Sequence, residues 1–144
     1  MSSFQSYHSY EEFLYTLRNS YGSVLSSTLI LVRRGKRTAI VQGELLFAEG
    51  FRLSIRERLS SDGDEVLIES YGYELWRMDE KIAWYDSQPH PEIPELAPTF
   101  PHHKHIPPDI RNHRVPAPNL YFDRPNLPVL IQEIELMIKE EYRK

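Results

Sequence analysis

Apolar and polar residues alternate with the period of a β-strand through much of the middle of the chain. Segments of this kind, and short runs that are apolar throughout, are typical of strands when turn residues bound them. Here the turns are marked by glycine or by acidic residues, as at Asp62-Gly63 and Asp79-Glu80. The pattern predicts five strands, over residues 28–32, 38–48, 51–59, 65–78 and 81–87.

The strand at residues 51–59 has a basic outer face. Apolar residues at positions 51, 53 and 55 alternate with Arg52, Arg56 and Arg58, so the two sets point to opposite sides of the sheet. A solvated sheet face is the ordinary interpretation of these arginines. The functional interpretation is that they form a row of phosphate-binding side chains or a contact surface for a partner protein.

The strand at residues 65–78 contains Gly72, and glycine inside a strand usually marks a bulge or a close backbone approach. If the next turn has two residues, Trp84 lies opposite Leu75, and Asp86 lies opposite Tyr73. One face of the sheet would then carry Tyr71, Tyr73, Arg77 and Asp86. A shift of one residue in this pairing would reverse the arrangement.

Helical periodicity occurs near both ends of the chain. Residues 9–18 combine Ser9 as an N-cap with acidic residues in the first turn and an apolar face. From Asn126 onward, apolar residues recur at spacings of three and four, with charged residues mostly on the other side. This predicts a second helix over residues 126–142.

All eleven prolines fall between Pro89 and Pro128, and five of the six histidines fall between His90 and His113. Neither a helix nor a central strand tolerates prolines at this density. Residues 89–124 are therefore expected to form a long, stiffened loop. Its apolar residues favour attachment to the sheet over disorder.

These elements predict an α+β fold with an antiparallel sheet of about five strands and two helices packed on one of its faces. The 144 residues are expected to form a single domain, 1–144, with sheet hairpins at 28–88, the Pro/His-rich loop at 89–124 and the last helix at 126–142.

Composition narrows the function classes. The absence of cysteine excludes disulfides, thiolate zinc sites and cysteine nucleophiles. The formal charge of −4 argues against a protein whose whole surface binds nucleic acid, although a small basic site remains compatible with it. No apolar run approaches the length of a transmembrane helix, and no signal peptide is apparent. We therefore expect a cytoplasmic protein that does not enter the membrane.

Three segments carry a family resemblance: Tyr71-x-Tyr73, Trp84-Tyr85-Asp86-x-x-Pro89-His90 and Phe100-Pro101-His102-His103-Lys104-His105. In these segments the chain resembles the TumE-like family, small bacterial and archaeal proteins described as toxins of toxin–antitoxin pairs. The resemblance is strongest over residues 71–105. It implies a toxin that a cognate antitoxin protein neutralises and, as is usual for small toxins, one that acts on RNA.

Histidine suits metal-independent RNA cleavage, which needs a base for the 2′-hydroxyl proton, an acid for the leaving oxygen and a cation for the phosphate. In an extended segment His103 and His105 project to one side, and His102 and Lys104 to the other. We expect His103 and His105 or His90 to act as acid and base, with Lys104 on the phosphate. Arg77 and Arg56 are alternative cations.

The expected substrate-binding residues are Tyr71, Tyr73, Arg77, Asp86 and His102. The two tyrosines could stack on bases or donate hydrogen bonds. Packing within the sheet is the simpler interpretation of the same tyrosines, because cross-strand aromatic pairs are favoured in any sheet.

Two other interpretations use the same residues. His103 and His105 could hold a divalent metal ion with His90 or Asp86 as a third ligand; otherwise no cofactor is expected. Alternatively, the protein is a non-catalytic module that binds a partner protein or nucleic acid, and its histidines have a structural role. The sequence leaves open whether the chain is an enzyme. A homo-oligomer is compatible with each interpretation.

Overall fold

The computed structural model describes residues 4–87, 103–106, 114–116 and 120–143. The helices are α1 (Tyr7–Tyr15), α2 (Leu17–Ser20) and α3 (Leu127–Arg143). The strands are β1 (Ser26–Ser27), β2 (Ile30–Arg34), β3 (Thr38–Leu46), β4 (Phe51–Ser61), β5 (Val66–Arg77), β6 (Glu80–Asp86), β7 (His103–His105) and β8 (Arg114–Pro116). His90, His102 and most of the loop predicted at residues 89–124 lie outside the described residues.

All the described strands belong to one antiparallel sheet, in the order β1-β3-β4-β5-β6-β7-β8, with β2 beside β1 along the same edge of β3. The predicted α+β class with an antiparallel sheet is confirmed. The predicted number of about five strands is too small. The additional strands β1, β7 and β8 have only two or three residues each, too few to show a period in the sequence.

The first helix begins earlier than predicted. Ser6 is its N-cap, because its Oγ accepts a hydrogen bond from the Ser9 N–H, while the Ser9 Oγ accepts one from the Ser6 N–H, both at 3.0 Å. Ser9, which was expected to be the cap, is therefore the third residue of the helix and completes a capping box. The last helix begins at Leu127, directly after Asn126, as predicted.

Alternation along the central strands gives the sheet one buried face and one open face. On β4 the side chains at 51, 53, 55, 57 and 59 are buried, and the arginines lie on the other face as predicted. The pairing of β4 with β5 shifts between Arg58 and Leu59, which leaves Glu69 as an extra residue on β5. Because of this bulge, Ile68 and Tyr71 are both buried. The bulge thus lies at Glu69 and not at Gly72.

The helices cover the buried face. Tyr10 and Leu14 of α1, and Leu130 and Ile131 of α3, belong to one continuous apolar core with the side chains of this face. Burial of each large aliphatic side chain contributes about 1.5–3 kcal/mol to this arrangement. No helix within the described ranges has both the length and the hydropathy that a membrane span requires.

A buried carboxylate lies between the helices and the sheet. Glu57 of β4 is fully buried, and it accepts hydrogen bonds from the hydroxyls of Tyr10 and Tyr73, each at 2.5 Å. The Asn126 amide donates to the Tyr73 hydroxyl at 3.2 Å and to the Tyr121 carbonyl at 3.0 Å. This network links both terminal helices to the sheet. Burial raises the pKa of Glu57, and the two tyrosine hydrogen bonds partly oppose that change.

The raised pKa of Glu57 predicts a pH-dependent contribution to stability. Between the ordinary carboxyl pKa of 4.5 and the raised value, the folded protein holds a proton that the unfolded chain has lost. The free energy of unfolding therefore falls as the pH rises through this interval. In Glu57→Gln this contribution is absent. Denaturant titrations should therefore show that the free energy of unfolding of the wild type, minus that of the variant, decreases from about pH 4 upward.

The matched control is Glu65→Gln, at an exposed position just before β5. Its stability difference from the wild type should vary much less with pH. If the free energy of unfolding of the wild type instead rises relative to that of Glu57→Gln as the pH increases, the assignment of a raised pKa to Glu57 is wrong.

Candidate functional site

The pairing of β5 with β6 decides which side chains share a face. Gly72 lies opposite Asp86, and Tyr73 lies opposite Tyr85. The predicted pairing of Asp86 with Tyr73 is therefore wrong by one residue. The hairpin turn is Met78-Asp79 and not Asp79-Glu80, which shifts the pairing by two residues, and the extra residue Ile82 in β6 shifts it back by one. As a result, Asp86 lies on the open face of the sheet and Tyr73 on the helix-covered face.

The histidine segment returns to the last hairpin strand as a further strand of the sheet. In β7, His105 lies opposite Trp84, and His103 lies opposite Asp86. The rings of His105 and Trp84 stack with centroids 4.4 Å apart and planes at 20°. Diagonally across the two strands, His105 Nε2 lies 3.1 Å from Asp86 Oδ2. Residues 19 positions apart in the sequence thus form a hydrogen-bonded pair.

The Asp86–His105 pair is almost completely buried, with Asp86 5% and His105 1% exposed. One polar atom of each residue, Asp86 Oδ1 and His105 Nδ1, has no hydrogen-bond partner in the part of the chain that the structure describes. A buried polar atom without a partner costs about 1–3 kcal/mol, and such atoms call for a functional or structural explanation. The pair is therefore the candidate centre of the site.

A cleft of about 560 Å³ opens on the same face of the sheet, within the size range of small-molecule sites. Arg34, Arg56 and Arg58 line it together with Trp84 and Asp86. Arg58 is paired with a carboxylate of β5, at 3.4 Å. Arg34 and Arg56 have no carboxylate within 4.0 Å among the described residues. The cleft thus concentrates positive charge in a chain whose net charge is negative.

Lys104 and Arg77 lie on the helix-covered face instead. Lys104 Nζ is 3.6 Å from Glu133 Oε2 of α3 and lies 5.2 Å from the centre of the Tyr85 ring. Arg77 Nη1 is 2.9 Å from Glu141 Oε1, also on α3. Neither cation lines the cleft. Of the three cations that the sequence suggested for the phosphate, Arg56 is the one in a suitable position.

Tyr71 and Tyr73 pack against each other, with ring centroids 4.9 Å apart. Tyr73 is fully buried and Tyr71 is 5% exposed, so neither ring presents a face on which a base could stack. Burial raises the pKa of Tyr71, and the negative charge of Asp86 raises it further. These tyrosines therefore belong to the core that packs against the sheet, and their rings are not available to bind a substrate.

The remaining sequence predictions concern histidines that the structure describes only in part. His90 and His102 lie outside the described residues, and only the main chain of His103 is described. The roles expected for them stay predictions. Within the described ranges, no group of three or more His, Cys, Asp or Glu side chains is arranged to hold a metal ion.

We compared the chain with protein families, with curated proteins and with solved structures. The model of one family, described as toxin TumE, matches residues 14–139. The chain belongs to the TumE toxin family. The match extends well beyond the resemblance at residues 71–105, from α1 to the last turns of α3. No curated protein and no solved structure gave a significant match.

Membership of the TumE toxin family indicates a toxin of a toxin–antitoxin system, and a cognate antitoxin follows as its partner. The match does not by itself assign a reaction to any residue.

Arg34 and Trp84 were missed as site residues by sequence reasoning. Arg34 is the last residue of β2, and its position in the same cleft as Asp86 depends on the pairing of several strands. The position of Trp84 beside His105 depends on the register of a three-residue strand. The alternating arginines of β4 were the one visible signal of the cleft.

The hydrogen bond between Asp86 and His105 predicts the tautomer of the imidazole. When neutral, His105 should carry its proton on Nε2, with Nδ1 unprotonated. Long-range ¹H–¹⁵N correlation spectra should show this tautomer in the wild type. Asp86→Ala should abolish the preference and lower the free energy of unfolding by about 1–3 kcal/mol, because a buried N–H loses its acceptor.

His8, on the exposed surface of α1, provides an internal reference whose signals should be the same in both proteins. Observation of the Nδ1–H tautomer for His105 in the wild type would show that the hydrogen bond to Asp86 is not formed.

Proposed function

We propose that this toxin acts on RNA as an endoribonuclease, with the Asp86–His105 pair as its reactive centre and the arginine-lined cleft as its RNA-binding site. One observation carries this proposal. Asp86, which is hydrogen-bonded to the buried His105 and whose Oδ1 has no partner among the described residues, lines a cleft that Arg34 and Arg56 also line.

RNA fits the charge of this surface. The sugar–phosphate backbone supplies most of the hydrogen bonds and nearly all of the charge that proteins contact in nucleic acids. The guanidinium groups of Arg34 and Arg56 can each bind two phosphate oxygens at once. Although the chain as a whole is acidic, the arginines give the cleft a local positive charge that attracts an RNA strand.

The reaction we propose is transfer of the phosphodiester to the neighbouring 2′-oxygen. The Asp86 carboxylate accepts the proton of the 2′-hydroxyl, the 2′-oxygen forms a bond to phosphorus, and the bond to the 5′-oxygen breaks. An acid gives a proton to the departing 5′-oxygen, which leaves a 2′,3′-cyclic phosphate and a 5′-hydroxyl. Arg56 stabilises the added negative charge on the phosphate.

His105 is a positioning residue in this scheme. Its Nε2 donates to Asp86 Oδ2, and its ring is held against Trp84, so the carboxylate is held in place. His103, whose main chain pairs with Asp86, is our candidate for the acid that protonates the leaving oxygen. His90 and His102 are the alternatives for that role.

The central prediction is loss of RNA cleavage in Asp86→Asn. The substitution preserves the shape of the side chain but removes a basic oxygen, so cleavage of purified RNA should fall by about 10²–10⁴-fold. His105→Gln should also reduce cleavage. Growth arrest on induced expression should be lost in parallel.

A second prediction concerns the arginines. Arg56→Ala should weaken RNA binding and reduce the slope of log K against log salt by about 0.7, the value expected for one lost phosphate contact on a single strand. Arg52→Ala is the matched control, because Arg52 lies on the same face of the same strand but is paired with Glu44. Equal effects of the two substitutions would exclude the cleft as the RNA-binding site.

Cleavage measured with and without EDTA distinguishes the chemistries. Cleavage that persists in EDTA supports acid–base catalysis by protein groups, and loss of cleavage in EDTA indicates a required metal ion. If the wild-type protein binds a partner tightly but leaves RNA intact under both conditions, the protein is a binding module and the proposed catalysis is wrong.

A further inference from the structure

Gly72 lies at an unusual place for a glycine, in the middle of β5, which has strands on both sides. Glycine is unfavourable in a strand interior and is normally explained by a left-handed backbone, a bulge or a close contact. The φ angle of Gly72 is not positive, and neither register shift of β5 falls at this residue. No atom of the described residues lies within 4 Å of the position that a Cβ would occupy.

Gly43 on β3 provides a contrast within the same sheet. Its φ is +144°, and a Cβ there would lie 2.6 Å from the carbonyl oxygen of Thr28. The backbone of Gly43 therefore requires glycine for structural reasons. Among the described residues none of these reasons applies to Gly72, and the approach of a ligand is a further reason for a glycine in a strand.

The neighbours of Gly72 indicate what that ligand is. Arg56 lies opposite it on β4, and Asp86 lies opposite it on β6, so the three residues form one row across the open face. Paired residues on adjacent strands have Cα atoms about 4.5–5.5 Å apart, so Arg56 and Asp86 flank a gap of about 10 Å between their backbones. Gly72 is part of the lining of the cleft at this gap.

We propose that Gly72 forms the floor of a nucleotide subsite, on which one sugar–phosphate unit of the RNA strand lies between Arg56 and Asp86. The inference rests on the proposed action on RNA and specifies where the substrate sits. The phosphate contacts the Arg56 guanidinium, and the ribose lies on the side of Asp86, which lines the same cleft. A side chain at position 72 would occupy the space of the sugar.

The test is a series of substitutions that fill this space, Gly72→Ala and Gly72→Val. Because the backbone is unstrained and the space is open, both variants should resist urea at least as well as the wild type. Valine is also favoured in strands. Binding of a short fluorescent single-stranded RNA, measured by anisotropy, should weaken progressively, by at least about tenfold for Gly72→Val.

Two glycine variants serve as controls. Gly22→Ala changes a glycine with equally open surroundings outside the cleft, and RNA binding should be unchanged. Gly43→Ala should lower resistance to urea, which confirms that the assay detects a glycine that the fold requires. If Gly72→Val instead unfolds more easily than the wild type, the space is needed by the fold and the inference is overturned.

The outcomes separate this inference from the proposed reaction. If Gly72→Val is stable and binds RNA as the wild type does, the subsite is wrong, whether or not the wild type cleaves RNA. If the wild type binds RNA without cleaving it and Gly72→Val loses binding, the subsite is supported and the proposed reaction is overturned. If the wild type neither binds nor cleaves RNA, both are overturned.

Discussion

The pairing of β7 with β6 is the interaction on which the candidate site depends. It places His105 opposite Trp84, and from this position His105 reaches Asp86. A three-residue strand has little stability of its own, so side chains on both faces hold it in register. His105 stacks on Trp84 on the open face, and Lys104 pairs with Glu133 of α3 on the other. A slip of one residue would exchange the two faces and dismantle the site.

The two faces of the sheet have different roles. The helix-covered face contains the apolar core and the buried hydrogen bonds of Glu57, which link the terminal helices to the central strands. The open face carries the arginines, the Asp86–His105 pair and the floor at Gly72. Because the described helices pack on one side of the sheet, the other side can hold charged groups and a cleft. Alternation along the strands between the bulges places the two sets of side chains on opposite faces.

Local patterns of the sequence were sufficient for much of the fold. The five longer strands and the helix α3 were predicted close to their observed positions, since each shows its period over enough residues. The cap of α1 was misplaced from Ser6 to Ser9, because both serines belong to the same capping box. His105 and Asp86 were both candidate site residues in the sequence, but the hydrogen bond between them was not predicted.

What the sequence determined by itself was therefore the class of the fold, the basic face of β4 and the family to which the chain belongs. These features depend on residue types and their spacing along the chain. The tertiary structure alone decided which residues meet. The bulge at Glu69 places Ile68 and Tyr71 on the same face, and the turn at Met78-Asp79 together with the bulge at Ile82 places Asp86 opposite Gly72, on the open face. A bulge adds one residue to one strand and reverses every side chain beyond it, and no period in the sequence shows where it occurs.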